Sequence, residues 1–312
     1  MKAAVLTELG APPQFADFPE PQADDDHVVV EVAAAGVNHV DLAKASGTFY
    51  TGPPPLPSVV GSDGVGHTAD GRRVFFDASV PPFGSWAQRS LVARGDLLEP
   101  AEDIDDVRAA AVGNTGMAAW LALQWRAKVQ PGESVLVLGA NGAVGSVAVQ
   151  AAKVLGAGFV IAADRDPERL ERLRDRGADA IVTLTPDGDL AGDCRAAVDG
   201  GVDVIIDPLW GAPALGAMRA AARGARLVQL GQLAGMSVEL AAPTVRSAAL
   251  DILGMAVFHA PLDVRRAAYL ALTEKIAEGA IAVDVDTVPL SDVATAWQRQ
   301  RGGPGVKLVL TP

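Results

Sequence analysis

The 312-residue sequence is short of several things, and each shortage excludes something. Cysteine is the scarcest, with Cys194 alone. One thiol cannot close a disulfide within the chain or supply a cysteine-rich zinc site. That suits a reducing compartment, so a cytoplasmic location is expected. Only four histidines occur, and three of them (His27, His39 and His67) are scattered through the N-terminal quarter. Basic residues are outnumbered: 26 Lys and Arg face 38 Asp and Glu, a net charge of −12. Such a field repels a phosphate backbone, so no nucleic-acid partner is expected. Long apolar runs are absent as well. The longest near the glycine turn is broken by Gln150 and Lys153, and none reaches the ~20 residues that span a bilayer. The opening MKAAVLTELGAPPQF has no apolar core leading to a cleavage site, so neither a signal peptide nor a membrane partner is expected.

What is present has two textures. Residues 1–112 read as β-rich and are punctuated by proline, as in TGPPPLPSVVGSDGVG. From residue 113 onward, apolar strand runs alternate with helical patterns. The strands are expected at Val135–Leu138, Val160–Ala163, Ala180–Val182, Val202–Asp207, Arg226–Leu230 and Ile252–Val257. Val144, Val147, Ala148, Ala151 and Leu155 share one face of the first helix. Further helices are expected from Pro167, over Pro213–Ala222 and over Pro243–Leu250. Strand–helix alternation implies a doubly wound parallel sheet, an α/β fold, and six strands complete a dinucleotide-binding sheet. Residues 258–312 are expected to hold one helix near Leu262–Glu278 and then short strands.

Ala140-Asn141-Gly142-Ala143-Val144-Gly145 fits the dinucleotide fingerprint with its first glycine replaced by alanine. Gly142 would let a pyrophosphate approach the backbone, and Gly145 would let helix and strand lie close. The helix N-terminus would offer N–H groups and a partial positive charge. Asp164, at the end of the second strand, suits ribose hydroxyls and repels a 2′-phosphate, which favours NAD(H) over NADP(H). Arg165 and Arg169 pull the other way, because a guanidinium grips a 2′-phosphate. Gly231 and Gln232 close the fifth strand and Val257 and Phe258 the sixth, where open α/β sheets place ligands. Trp210, in DPLWG, would cover the cofactor or simply pack.

MKAAVLTELGAP, VVVEVAAAGVNHVDL, SGTFY, PLPSVVGSDGVG, RVFF, GSWAQRSLV and the glycine-turn segment occur in that order. Together they resemble the medium-chain dehydrogenase/reductase superfamily, and within it the zinc-independent quinone oxidoreductase branch. The resemblance implies a GroES-like β-barrel catalytic domain (1–112 and 258–312), a Rossmann domain (113–257) and a homodimer. It implies contacts to the nicotinamide from Asn38 and Thr115, with Asn114 sharing the second role, and a terminal lysine at Lys307. Asn38 would donate its amide to a carbonyl oxygen or cap its loop, and Asp41 would be a structural acceptor. Several positions depart from the family pattern. His39 replaces a proline, and Ala43 replaces an aromatic, so the tyrosine of many relatives is missing. Tyr50 is the substitute candidate and Lys44 a further one. Only Thr68–Gly71 separates GVGH from RRVFF, where relatives have a longer excursion.

Zinc members carry Cys where this chain has Asn38, and Gly-His-Glu where it has Gly61-Ser62-Asp63, so no metal is expected. Zinc lowers an alcohol's pKa for oxidation. Without it, reduction of a small electrophile by NAD(P)H is the expected chemistry, with quinones and enones as substrates. Two alternatives stand beside it. One is a dehydrogenase or biosynthetic enzyme with a specialised substrate, and the other is a nucleotide-binding relative without redox turnover.

Overall fold

The computed structural model describes all 312 residues. Alternating apolar positions set the strands of the N-terminal part: β1 (Lys2–Leu6), β2 (Gln14–Asp17), β3 (His27–Gly36), β4 (Ser58–Val59), β5 (Gly64–Thr68), β6 (Arg73–Phe76) and β7 (Arg89–Ala93). β3 is the spine of this part. It buries Val28, Val30 and Val32, exposes Glu31, and pairs antiparallel with both β5 and β7. β5 and β6 form a tight hairpin, closed where the Thr68 N–H meets the Arg72 carbonyl. Two short helices interrupt the strands. α1 (His39–Ala45) starts from Asn38, and α2 (Asp106–Val112) starts from Asp105, whose carboxylate accepts the Arg108 N–H. α3 (Asn114–Leu121) follows, prolonged by a π-helical turn over Ala122–Ala127.

The alternating part then runs β8 (Ser134–Leu138), α4 (Ala143–Val154), β9 (Phe159–Asp164), α5 (Pro167–Arg174), β10 (Ala180–Thr183), α6 (Leu190–Ala197), β11 (Val202–Asp207), α7 (Gly211–Arg219), β12 (Ala221–Gln229), α8 (Ala242–Ala248) and β13 (Asp251–Gly254). Its six strands are all parallel, in the order β10-β9-β8-β11-β12-β13. Leu136, Leu138, Ile161, Ile205 and Leu227 are fully buried, as expected of a sheet covered on both faces. The C-terminal segment adds α9 (Leu262–Ala277), β14 (Val285–Pro289), α10 (Val293–Gly302) and β15 (Lys307–Thr311), and β15 pairs antiparallel with β3.

The chain divides into two compact units. One comprises Met1–Thr115, Leu262–Ala277 and Val283–Pro312; the other comprises Gly116–Pro261 and Glu278–Ala282. No helix is long and apolar enough to cross a membrane.

Four local features differ from the sequence expectation. β13 stops at Gly254, and Val257–His259 is a 3₁₀ turn, because the chain bends away after the Met255 N–H reaches the Gln229 carbonyl. β12 starts early, at Ala221. α6 is hidden by Gly192 and two aspartates, yet Leu190, Ala191 and Cys194 give it one buried face. α10 lies where strands were expected. It buries Val293, Ala296, Trp297 and Gln300, a helical spacing readable in the sequence.

Candidate active site

The glycine turn joins β8 to α4. It begins one residue earlier than the sequence pattern suggested: Gly139, not Ala140, takes the left-handed conformation (φ 61°). Ala140 is buried, and its N–H donates to the Ala163 carbonyl. The working spacing is therefore Gly139, Gly142, Gly145. A Cβ on Gly145 would overlap the Gly139 carbonyl oxygen, so only glycine lets α4 sit this close to β8. Gly142 caps the helix without a side chain. The first intrahelical bond is made by Ser146, to the Gly142 carbonyl, so the N–H groups of Ala143, Val144 and Gly145 open the helix without intrahelical partners. This cradle suits a pyrophosphate.

Asp164 ends β9 beside the turn. Its carboxylate accepts the Asn141 N–H at 2.9 Å and the Arg165 N–H at 2.6 Å. Arg169 donates to the Asn141 carbonyl at 3.1 Å, so its guanidinium braces the turn, while the side chain of Arg165 is exposed. After β11, Asp207 is fully buried. Its Oδ1 accepts the N–H groups of Leu209 and Trp210, and its Oδ2 has no partner. Burial raises its pKa. These two bonds hold Trp210 at φ 55°, ψ −159°, a conformation that costs a non-glycine residue roughly 1–3 kcal/mol. Gly231 and Gln232 follow β12, and the Gly231 carbonyl accepts the Gln229 side chain. Val257 is buried in the 3₁₀ turn and Phe258 is exposed there.

In the first unit a buried polar cluster surrounds the start of α1. The Asn38 amide donates to Asp63 Oδ1 at 2.6 Å and to Asp41 Oδ2 at 3.2 Å. Asp41 also accepts the Asn38 N–H at 2.8 Å, fixing the first turn of the helix. Asp63 Oδ2 accepts the Asn114 N–H at 2.9 Å. Lys307, on β15, donates to Asn38 Oδ1 at 2.5 Å and to the Val37 carbonyl at 2.8 Å. Burial, helped by Asp41 and opposed by Lys307, pushes the pKa of Asp63 up to about 6. Burial also raises that of Asp41 and lowers that of Lys307. Both amide hydrogens of Asn38 are thus taken, so it organises the cluster and has none left for a carbonyl oxygen. Lys307 likewise commits two of its three N–H donors inside the cluster. Thr115 donates its hydroxyl to the Ala111 carbonyl at 3.0 Å. Sequence reasoning passed over Asp63 as a site residue. The available signal was a carboxylate beside Gly61-Ser62 in an otherwise apolar stretch.

Beside this cluster the same unit holds a cavity of about 320 Å³. Pro53, Pro54, Pro55, Pro82 and Phe83 line one part, and Asp41, Lys44 and Ser62 form its polar end. Lys44 Nζ donates to Ser62 Oγ at 2.9 Å and lies 5.8 Å from the centre of the Phe49 ring. Tyr50 is not on this wall. It is 68% exposed, with its ring against Phe49.

Comparison with known proteins agrees with this architecture. The family model described as zinc-binding dehydrogenase matches residues 143–274. A quinone oxidoreductase of Lama guanicoe is 30% identical over 74% of this chain and 73% of its own. The chain belongs to the quinone oxidoreductase group of the medium-chain dehydrogenase/reductase family. Among solved structures of this group, the quinone oxidoreductase of Thermus thermophilus, known also in complex with NADPH, is 30% identical, covers both chains fully and superposes with a TM-score of 0.82. A polyketide synthase subunit of Mycobacterium tuberculosis is 32% identical over 89% of this chain, which spans only 13% of that relative's length.

The family model's description raises the question of zinc. At the relevant positions Asn38, Ser62 and Asp63 offer an amide, a hydroxyl and a carboxylate, and the ammonium of Lys307 already faces the Asn38 oxygen. This donor set does not suit zinc, which takes thiolate, imidazole and carboxylate ligands. His39 and His67 are both exposed, and no three His, Cys, Asp or Glu side chains gather as a metal-holding group.

Proposed function

We propose that the protein transfers hydride from NAD(P)H to a quinone, enone or similar activated carbonyl, and does so without zinc. The observation that supports this most is the Asn38–Asp63–Lys307 cluster, which fills with hydrogen bonds the place where zinc members hold their metal. An alcohol oxidation would need a group to take the hydroxyl proton. Reduction of an electrophile asks mainly for orientation and one donor to the oxygen that gathers charge.

Bound reduced nicotinamide would supply the hydride. The N–H groups of Ala143, Val144 and Gly145 would hold the pyrophosphate. Asp164 would exchange the Asn141 and Arg165 amides for ribose hydroxyls, which favours NAD(H) over NADP(H); exposed Arg165 is the residue that competes with this preference. The reading includes a homodimer paired along β13, an edge strand with Ile252 39% exposed. Gel filtration giving a 32.0 kDa monomer would remove that part.

The test is a parallel titration of the apoprotein with NADH and NADPH, followed by nicotinamide fluorescence, with Asp164→Ala alongside. Consumption is then measured across quinones, enones and alcohols. Tighter NADH binding that the variant loses, with quinone or enone turnover, supports the proposal. Alcohol-dependent NAD⁺ reduction, or binding without turnover, overturns it.

A further inference from the structure

We propose that Lys44 is the catalytic donor to the substrate's carbonyl oxygen, and that its cavity selects a neutral single-ring quinone or short-chain enone. This rests on the function proposed above and adds to it a residue and a substrate class.

Size is the first argument. About 320 Å³ lies at the small end of ligand pockets, which run from roughly 300 to 1,000 Å³. Shape is the second. Pro53, Pro54 and Pro55 line it with backbones fixed by their rings, a stiff apolar rim for a flat body, with Pro53 and Pro55 also open to solvent. Charge is the third. Lys44 is the only cation on the wall, and Ser62 and the Phe49 ring fix where its ammonium sits. An ammonium has three N–H donors, and the Ser62 hydroxyl takes one. Asp41 stands at the same end, so an anion whose charge is not seated directly on the Lys44 ammonium would meet a carboxylate there. A neutral carbonyl that becomes negative only during reaction escapes that repulsion until the donor is needed.

The step balances simply. Hydride adds to the β-carbon of an enone, and the C=C electron pair moves through the conjugated system onto the carbonyl oxygen. That oxygen is stabilised by a Lys44 N–H and takes its proton. Lys44 regains a proton from water, and the enol tautomerises to the saturated carbonyl compound. With a quinone the pair arrives on a ring oxygen in the same way and the hydroquinone results.

Two variants test this, Lys44→Met and Lys44→Arg, each checked for a native thermal transition. The first readout needs no turnover: p-nitrophenol, a single ring whose absorbance separates phenol from phenolate, is titrated into the protein. Wild type is expected to bind the phenolate form, Lys44→Met to lose it and Lys44→Arg to keep part of it. In turnover with a one-ring quinone, kcat is expected to fall roughly 10²–10³-fold in Lys44→Met, with NADH affinity unchanged. Unchanged kcat in Lys44→Met overturns the role of Lys44 and leaves the redox function standing. A wild type inert to every quinone and enone fails that function itself, and the p-nitrophenolate titration then decides whether Lys44 takes an oxyanion at all.

Discussion

Gln150 and Ala282 hold each other by two hydrogen bonds. The Gln150 side chain donates to the Ala282 carbonyl at 2.9 Å and accepts the Ala282 N–H at 2.8 Å. Gln150 is buried on α4, so the polar residue that interrupts the apolar run is a clip for the returning segment Glu278–Ala282. Gln150→Leu keeps the volume and leaves two backbone groups unpaired. The expected loss is roughly 2–4 kcal/mol of unfolding free energy, read by urea denaturation. A loss below a few tenths would show that water replaces the clip.

The two glycines that open and follow the α4 N-terminus separate binding from folding. Gly142 has φ −79°, which alanine adopts freely, and an added Cβ would lie 3.2 Å from the Gly139 oxygen. Gly142→Ala is expected to melt near wild type while NADH affinity falls about tenfold, ~1.4 kcal/mol, by fluorescence titration. Gly145→Ala forces backbone against backbone and is expected to lose ~1–3 kcal/mol or more of stability, visible in the melting temperature.

Asp63 makes stability depend on pH with a defined sign. Its pKa in the fold is about 6, above the ordinary 3.8, so the native state holds its proton more tightly than the unfolded chain. The stabilisation is complete below pH ~4 and is lost as pH rises through about 6. Other carboxylates titrate nearby, so the measurement is the difference between wild type and Asp63→Asn in denaturation midpoints from pH 4 to 7. Wild type is expected to lose stability relative to the variant over that window. A difference that is flat with pH would place the Asp63 pKa at its ordinary value.

Cys194 lies in the core of the second unit, and burial pushes its thiol up to about 12. Without thiolate at neutral pH it is expected to be inert to a disulfide reagent such as DTNB in the native protein. It should react fully in guanidinium. Rapid native labelling would show that α6 opens.

Much of the second unit was legible in the sequence. The β8 and β9 runs are apolar throughout because both sheet faces are covered, and the glycine turn sits where strand meets helix. Its register differs by one from the motif pattern because Ala140 falls at a motif position, and only the backbone shows that Gly139 makes the turn. The ends of β12 and β13 escaped for a related reason: strand limits follow from ladder bonds such as Met255 to Gln229, not from side-chain pattern. Short α1 and α6 lack enough residues to display a period, whereas α10 displays one through Val293, Ala296, Trp297 and Gln300.

The site in the first unit was legible by composition and not by geometry. Asn38, Asp41, Lys44 and Lys307 are all visible as residue types, and their identity already marks a polar cluster lacking cysteine and histidine ligands. Their roles depend on bonds between positions up to 270 apart, such as those from Lys307 to Val37 and Asn38. Local order along the chain dictates periodicity, turns and the parallel α/β class, because those rest on contacts between near neighbours. Which amide is already spent, which ammonium faces a cavity and which carboxylate is buried follow from distant segments packing together, and so belong to the folded molecule alone.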